Sequence, residues 1–223
     1  MKVLMISTDE RIFEAGSNVR ERMALYGTIT ENLHIIIPTT NASLREQKIS
    51  GNVFAYPAYG FLKILALARA VFVGIRLPGG LVTAQDPFET GLMAFKISRL
   101  KKIPLELQIH TDFLSPYFSR SNFKNKIRIF IAKRLLPRAE GVRVVSERIR
   151  QSLDKGKISL RRNSTILPVY FNTPPQIPSG KNLRQIYPQF ENIIFMASRL
   201  TSEKNISLAL NVFVDVLKNR PKT

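Results

Sequence analysis

The chain has 223 residues, 44% of them hydrophobic and spread along its whole length, which suits one large domain, or one complete domain with part of another, and excludes disorder and low complexity. The absence of cysteine removes disulfides, thiolate metal sites and cysteine nucleophiles, and fits a reducing compartment. With 34 Lys and Arg against 16 Asp and Glu, the formal net charge of +18 favours a polyanionic partner, either nucleic acid or the anionic face of a membrane.

Residues 2–7 (KVLMIS) have the pattern of a short buried strand, and the apolar run is too short for a signal-peptide core, so no export is expected. A polar connection with a single glycine, Gly16, leads to a helix over 18–26, ended by Gly27. The G-x-G-x-x-G turn of dinucleotide-binding folds is missing here. Residues 33–37 (LHIII) and 52–56 (NVFAY) predict two further strands, with His34 structural inside the first of them. The most apolar stretch, 61–75 (FLKILALARAVFVGI), is interrupted by Lys63 and Arg69 and falls short of the roughly 20 residues of a membrane-spanning helix. It predicts a helix packed on a sheet or lying at a membrane surface.

Residues 81–84 (LVTA) predict a strand that ends at Gln85 and Asp86, followed by a helix over 87–100 with Glu89 in its first turn. The strand at 104–109 (PLELQI) delivers His110, Thr111 and Asp112; the strand at 141–145 (GVRVV) delivers Ser146 and Glu147 before a helix over 148–153; and 164–169 (STILPV) is a last strand. Strands alternating with helices predict an α/β fold with a doubly wound, mostly parallel sheet. Ligands bind such sheets beyond the carboxyl ends of the strands. The polar clusters at Thr8 and Asp9, Gln85 and Asp86, His110 to Asp112, and Ser146 and Glu147 would all lie there and outline a cleft.

Seven cations and no acid fall between Arg120 and Arg138, interleaved with Phe123, Ile127, Phe130 and Ile131. That pattern predicts a basic amphipathic helix, which either lies on anionic lipid or packs on the sheet with a solvated basic face. Residues 172–181 (NTPPQIPSGK) read as a proline-rich linker. After it, 193–196 (IIFM) predicts a buried strand, a polar turn carries Arg199 and Lys204, and a helix follows with Thr201 or Ser202 as N-cap. Free N–H groups at a helix start, with a guanidinium before it and an ammonium in its first turn, either bind an anion, phosphate or diphosphate, or form a turn with two solvated cations.

Four runs together resemble the retaining family 4 glycosyltransferases of the GT-B fold: A-Q-D-P-F-E-T-G-L at 84–92, Q-I-H-T-D-F at 108–113, V-V-S-E-R-I at 144–149, and S-R-L-T-S-E-K-N at 198–205. The resemblance implies a Rossmann-like acceptor-side domain over 1–171, a linker over 172–190, and over 191–223 the first βα unit of a nucleotide-sugar-binding domain. It implies that Arg199 and Lys204 bind the diphosphate of a UDP- or GDP-linked sugar, that His110 lies beside the transferred sugar, and that Gly16 and Ser17 lie near donor and acceptor. No catalytic metal and no cofactor beyond the donor are expected. The E-x7-E element of the family would lie beyond residue 223, so the chain is expected to be the amino-terminal portion of a longer enzyme.

Asp86 and Asp112, with Glu147 at the same edge, are candidates for binding acceptor hydroxyls or acting as a base, although Asp86 also suits the start of a helix before Pro87. A membrane-associated glycan or lipid acceptor would reconcile the charge with this chemistry, on a cytoplasmic protein peripheral to the inner membrane face. The competing reading is a non-catalytic basic module on anionic membrane or nucleic acid, although no nucleic-acid recognition motif is present. The missing glycine fingerprint argues against a nucleotide-dependent oxidoreductase.

Overall fold

Apolar runs long enough to be buried on both faces produce a parallel sheet, as in β2 (Asn32–Thr39), where Leu33, Ile35 and Ile37 enter one core and Ile36 the other. The computed structural model describes residues 1–169, 182–198, 200 and 204–220. Among them β1 (Lys2–Ile6), β2, β3 (Gln47–Ser50), β4 (Val53–Tyr59), β5 (Leu81–Ala84), β6 (Leu105–Ile109), β7 (Gly141–Val144) and β8 (Thr165–Ile166) form one sheet. Its order is β3-β4-β2-β1-β5-β6-β7-β8, with every pairing parallel except β3 with β4. This is the α/β, mostly parallel architecture with flanking helices that the alternating pattern predicts.

On one face, α1 (Asn18–Gly27) and a 3-10 turn (Glu10–Phe13) cover β1, β2 and β4 through Val19, Met23, Ile12 and Phe13. On the other, α2 (Lys63–Arg76), α3 (Glu89–Lys101) and α5 (Phe123–Leu135) form a layer over a larger core centred on Ile6, Ala84, Ile97 and Leu107. Two shorter helices complete this half, α4 (Pro116–Ser121) and α6 (Glu147–Lys155).

Several boundaries differ from expectation. The basic stretch is not one helix: Asn122 is extended and caps α5 by accepting from the Asn125 N–H at 2.9 Å, which separates α4 from α5. In α5 the buried residues are Asn125, Ala132 and Leu135, while Phe123, Ile127 and Phe130 face outward among the cations. The strand over 164–169 shortens to Thr165–Ile166, because Arg143 Nε and Nη2 take the Leu167 and Pro168 carbonyls. β3 was not anticipated; its sequence QKIS lacks an apolar run because it is an edge strand.

The chain divides into two compact units, Met1–Val169 and Tyr170–Thr223. In the second, α7 (Leu183–Ile186) and α8 (Ile206–Asn219) are formed. Residues 193–196 are not a strand, and Phe195 is 81% exposed. A strand needs a pairing edge for its N–H and C=O groups, and no other described residue of this unit is in a strand. The proposed linker residues 172–181 lie outside the described residues.

Gly60 closes the tight passage from β4 into α2. A Cβ there would fall onto the backbone nitrogen of Ala66 and within 2.7 Å of the Leu65 carbonyl carbon. Because backbone rather than a flexible side chain is in the way, Gly60→Ala is expected to destabilise the protein by about 1–3 kcal/mol. A lower urea midpoint at unchanged m-value would report this.

Candidate functional site

The chain winds to one side of β1 through β2 and β4, and to the other through β5, β6, β7 and β8. Loops leaving the carboxyl ends of β1 and β5 therefore part, and a crevice opens between them. Ser7 and Gln85 pin its floor: Gln85 N–H donates to Ile6 O, and Ser7 Oγ donates to Gln85 Oε1 at 2.6 Å. Beside it lies a cavity of about 280 Å3 lined by Thr8, Glu10, Thr39, Thr40, Lys63, Asp86, Glu89 and Arg128.

Charge in this cavity is ordered by one ion pair. Arg128 Nε reaches both Glu89 oxygens at 3.1 Å, its Nη2 lies 3.0 Å from Oε1, and Lys124 Nζ adds a contact at 3.8 Å. Burial pushes the Glu89 pKa up, but hydrogen bonds from Arg128 and its own backbone, with the charges of Arg128 and Lys124, outweigh this and hold it below its ordinary value. Asp86 behaves oppositely. Its Oδ1 accepts from Phe88 N–H at 2.7 Å, yet burial dominates and raises its pKa. The cavity thus holds one firmly ionised carboxylate and one carboxyl with a strengthened hold on its proton. Glu10 accepts from Thr39 Oγ1 and stiffens the opposite wall.

His110 stands past the end of β6, exposed to solvent, above a polar chain on the sheet. Thr83 Oγ1 donates to Glu106 Oε2, Gln108 Nε2 donates to Thr83 Oγ1 at 3.1 Å, and Gln108 Oε1 lies 3.3 Å from His110 Nε2 and 3.5 Å from Arg143 Nη1. Gln108 Oε1 can only accept, so His110 Nε2 carries the proton and Nδ1 keeps a lone pair. Desolvation first, then the positive charges of Arg143 and Arg22, lower the His110 pKa and favour this neutral form. A neutral ring held in this way offers an acceptor to a hydroxyl.

The remaining candidates are scattered. Asp112 accepts from Ser152 Oγ at 2.7 Å and lines a separate groove with Ser115, Arg148 and Lys155, so it ties the β6 loop to α6. Glu147 opens α6, is exposed and pairs with Arg150 at 2.9 Å. Gly16 adopts φ +74°, and a Cβ added there would meet no atom within 4 Å, so a left-handed turn, not a close approach, accounts for the glycine. Ser17 caps α1, accepting from Arg20 N–H and donating to Arg11 O. Lys204 is exposed and precedes α8, whose N-cap is Asn205 in a left-handed conformation; it is not in the first helical turn as expected. Arg199, Thr201 and Ser202 lie outside the described residues. His34 is buried, with Nδ1 3.0 Å from Tyr56 Oη and its ring stacked on Phe54.

Glu10, Thr39 and Arg128 were not singled out for this site from sequence, and Glu89 only as a first-turn acid. A polar residue in an otherwise apolar strand, as at Gln108 and Arg143, was the one available signal for the chain beneath His110. Among the described residues no group of three His, Asp or Glu is placed to hold a metal ion.

No protein-family model matches the chain. It is 26% identical over 181 residues to the alpha-monoglucosyldiacylglycerol synthase of Streptococcus pneumoniae (strain ATCC BAA-255 / R6), a match covering 76% of this chain and 38% of that protein. Among solved structures it is similar to alpha,alpha-trehalose 6-phosphate synthase from Burkholderia multivorans, with a TM-score of 0.42 and 14% identity over 70% of this chain and 42% of the other. The chain thus spans only about two-fifths of either protein's length, 38% and 42%.

The raised pKa of Asp86 has a measurable consequence. The folded state binds that proton more tightly than the unfolded chain, so the linked stability is present below the ordinary aspartate pKa and is lost as pH rises through the folded value. Asp86→Asn preserves the acceptor for Phe88 N–H. It is expected to raise the melting temperature at pH 7, with the gain shrinking as pH falls towards about 4. A melting temperature equal to or below that of the parent at pH 7 contradicts the burial argument.

Proposed function

We propose that this chain is the amino-terminal part of a retaining, GT-B family 4 type glycosyltransferase that moves a sugar from a UDP- or GDP-linked donor to a glycan or lipid acceptor at a membrane. The observation that carries this is the sequence similarity, over 76% of the chain, to a protein named as a synthase of alpha-monoglucosyldiacylglycerol. The crevice at the β1/β5 divergence supports it, because it offers a place for an acceptor.

In the proposed reaction the bond from the anomeric carbon to the diphosphate oxygen breaks as the acceptor oxygen bonds to that carbon on the same face. The acceptor proton passes to the departing phosphate oxygen, so no protein nucleophile is needed. Negative charge grows on the leaving diphosphate, and fixed cations there lower the barrier because they need no reorganisation. Arg199 and Lys204 are assigned this task from the sequence motif. His110 Nδ1 would accept from a sugar or acceptor hydroxyl, while Asp86 and the Lys63 ammonium would hold the acceptor in the cavity. Gly16 and Ser17 would border that space. Asp112 and Glu147 are given structural parts, since each is already engaged by a neighbour.

Membrane association in this reading is peripheral and on the inner face, and no described helix is long and apolar enough to cross a bilayer. The basic residues between Arg120 and Arg138 supply attraction to anionic lipid. A non-catalytic basic module explains the charge equally well but leaves the similarity to a synthase without a cause.

Calorimetric titration of UDP and GDP, into protein expressed with any sequence that follows residue 223 in its gene, tests the assignment. One of the two nucleotides is expected to bind, and Arg199→Ala and Lys204→Ala each to weaken binding about tenfold or more, the loss of a charge-assisted contact to phosphate. Unchanged affinity in both variants removes the phosphate assignment.

A further inference from the structure

Helix α2 is oriented opposite to a normal surface helix. Its fully buried residues are Ala66, Ala70 and Gly74, spaced four apart. Leu67, Val71 and Val73 pack partly against the core, but four of its large apolar side chains point outward: Ile64 is 70% exposed, Phe72 48%, and Leu65 and Ile75 are exposed as well. At about 100° per residue these four fall within a single arc, with Arg69 and Arg76 along one border of it. Immediately before the helix, Phe61 at 72% and Leu62 at 54% exposure extend the patch. A soluble helix would bury the Phe and Ile and expose the Ala.

Two observations say what covers this face. The first is charge. Residues 47–85 contain no Asp or Glu, and neither Arg69 nor Arg76 has a carboxylate partner among the described residues; Arg76 instead stacks on Phe72, 3.5 Å from the ring centroid. Glu46 alone brings an acid to the adjoining groove, which Arg45, Arg69 and Arg76 also line. The second is continuity. α2 packs on α3 and α3 on α5, so the three helices form one layer, and α5 also turns Phe123, Ile127 and Phe130 outward among its cations. Apolar groups interleaved with cations match a surface whose interior is hydrocarbon and whose boundary carries phosphate. With 14 residues α2 is too short to span a core of about 30 Å, so it would lie along the interface.

We propose that the outward face of α2, continued by Phe61 and Leu62, is a docking surface for an anionic phospholipid bilayer. The apolar arc enters the boundary between headgroups and acyl chains, and Arg69 and Arg76 reach lipid phosphates from its border. Lys63, Ala66 and Leu67 of the same helix line the 280 Å3 cavity, so docking brings that cavity to the headgroup layer. α5 then supplies long-range attraction, and α2 the insertion. The surface stands independently of any transferase activity.

The chain has no tryptophan, so Phe72→Trp installs a single fluorescent reporter in the middle of the arc. With vesicles of phosphatidylglycerol and phosphatidylcholine, its emission is expected to shift to the blue and to be quenched by brominated acyl chains. Vesicles of phosphatidylcholine alone are expected to produce little of either. Adding Leu65→Gln and Ile75→Gln is expected to weaken partitioning at least tenfold, with circular dichroism confirming the fold, and Arg69→Gln with Arg76→Gln to reduce the preference for anionic lipid to the part that α5 supplies. Emission that stays unshifted while the protein co-sediments with anionic vesicles overturns the proposal, since another surface then carries binding. So does a blue shift without vesicles that grows with protein concentration, which would mean that a second copy covers the face. Nucleotide binding measured by calorimetry is unaffected by either outcome, so this failure is distinct from failure of the transferase reading.

Discussion

The parting of the chain on either side of β1 is the constraint that organises the first unit. Parallel strands must be joined by crossovers, and a sheet that grows outward from its middle sends two successive crossovers in opposite directions. The loops after β1 and β5 then separate, and the space between them cannot be filled by either. Ser7 and Gln85 hydrogen bond across its floor and keep the two strands in register where backbone pairing ends. The cavity, its pair of unlike carboxyls and the foot of α2 are all consequences of that local lack of packing.

Legibility in the sequence followed the physics of burial. β1, β2, β5, β6 and β7 are apolar because helices cover them, and runs such as LHIII and LELQI show it directly. β3 was invisible because an edge strand pairs on one side only and tolerates Gln47 and Lys48. Residues 193–196 have the composition of a strand, but composition cannot provide the neighbour that a strand requires. The break at Asn122 was hidden by the surrounding cations, although Asn is a strong N-cap and its side chain does that work here.

The site was legible only in part, for a related reason. Asp86 and Asp112 look equivalent as acids past strand ends, yet Asp86 faces a cavity and Asp112 is held by Ser152, forty positions away. The Glu89–Arg128 pair likewise joins residues 39 apart, which no local pattern can reveal. His110 is legible by its place at the end of β6, but its proton is located by Gln108 beneath it, which no local pattern shows. The apolar stretch at 61–75 was identified as a helix on a sheet or at a membrane. The structure packs it on the sheet through Ala66, Ala70 and Gly74 and leaves Ile64, Leu65, Phe72 and Ile75 exposed.

The two margins of the sheet differ from its middle. One ends in β3, four residues long, antiparallel, shifted in register between Lys48 and Ser50 and carrying Lys48 outward. The other ends in β8, two residues long, beyond which Arg143 occupies the carbonyls of Leu167 and Pro168. Among the described residues neither margin presents a run of backbone groups long enough to template another strand. A protein with this much exposed apolar surface would ordinarily be prone to fibrous association through its strands. The short, shifted β3 and the two-residue β8 disfavour that route.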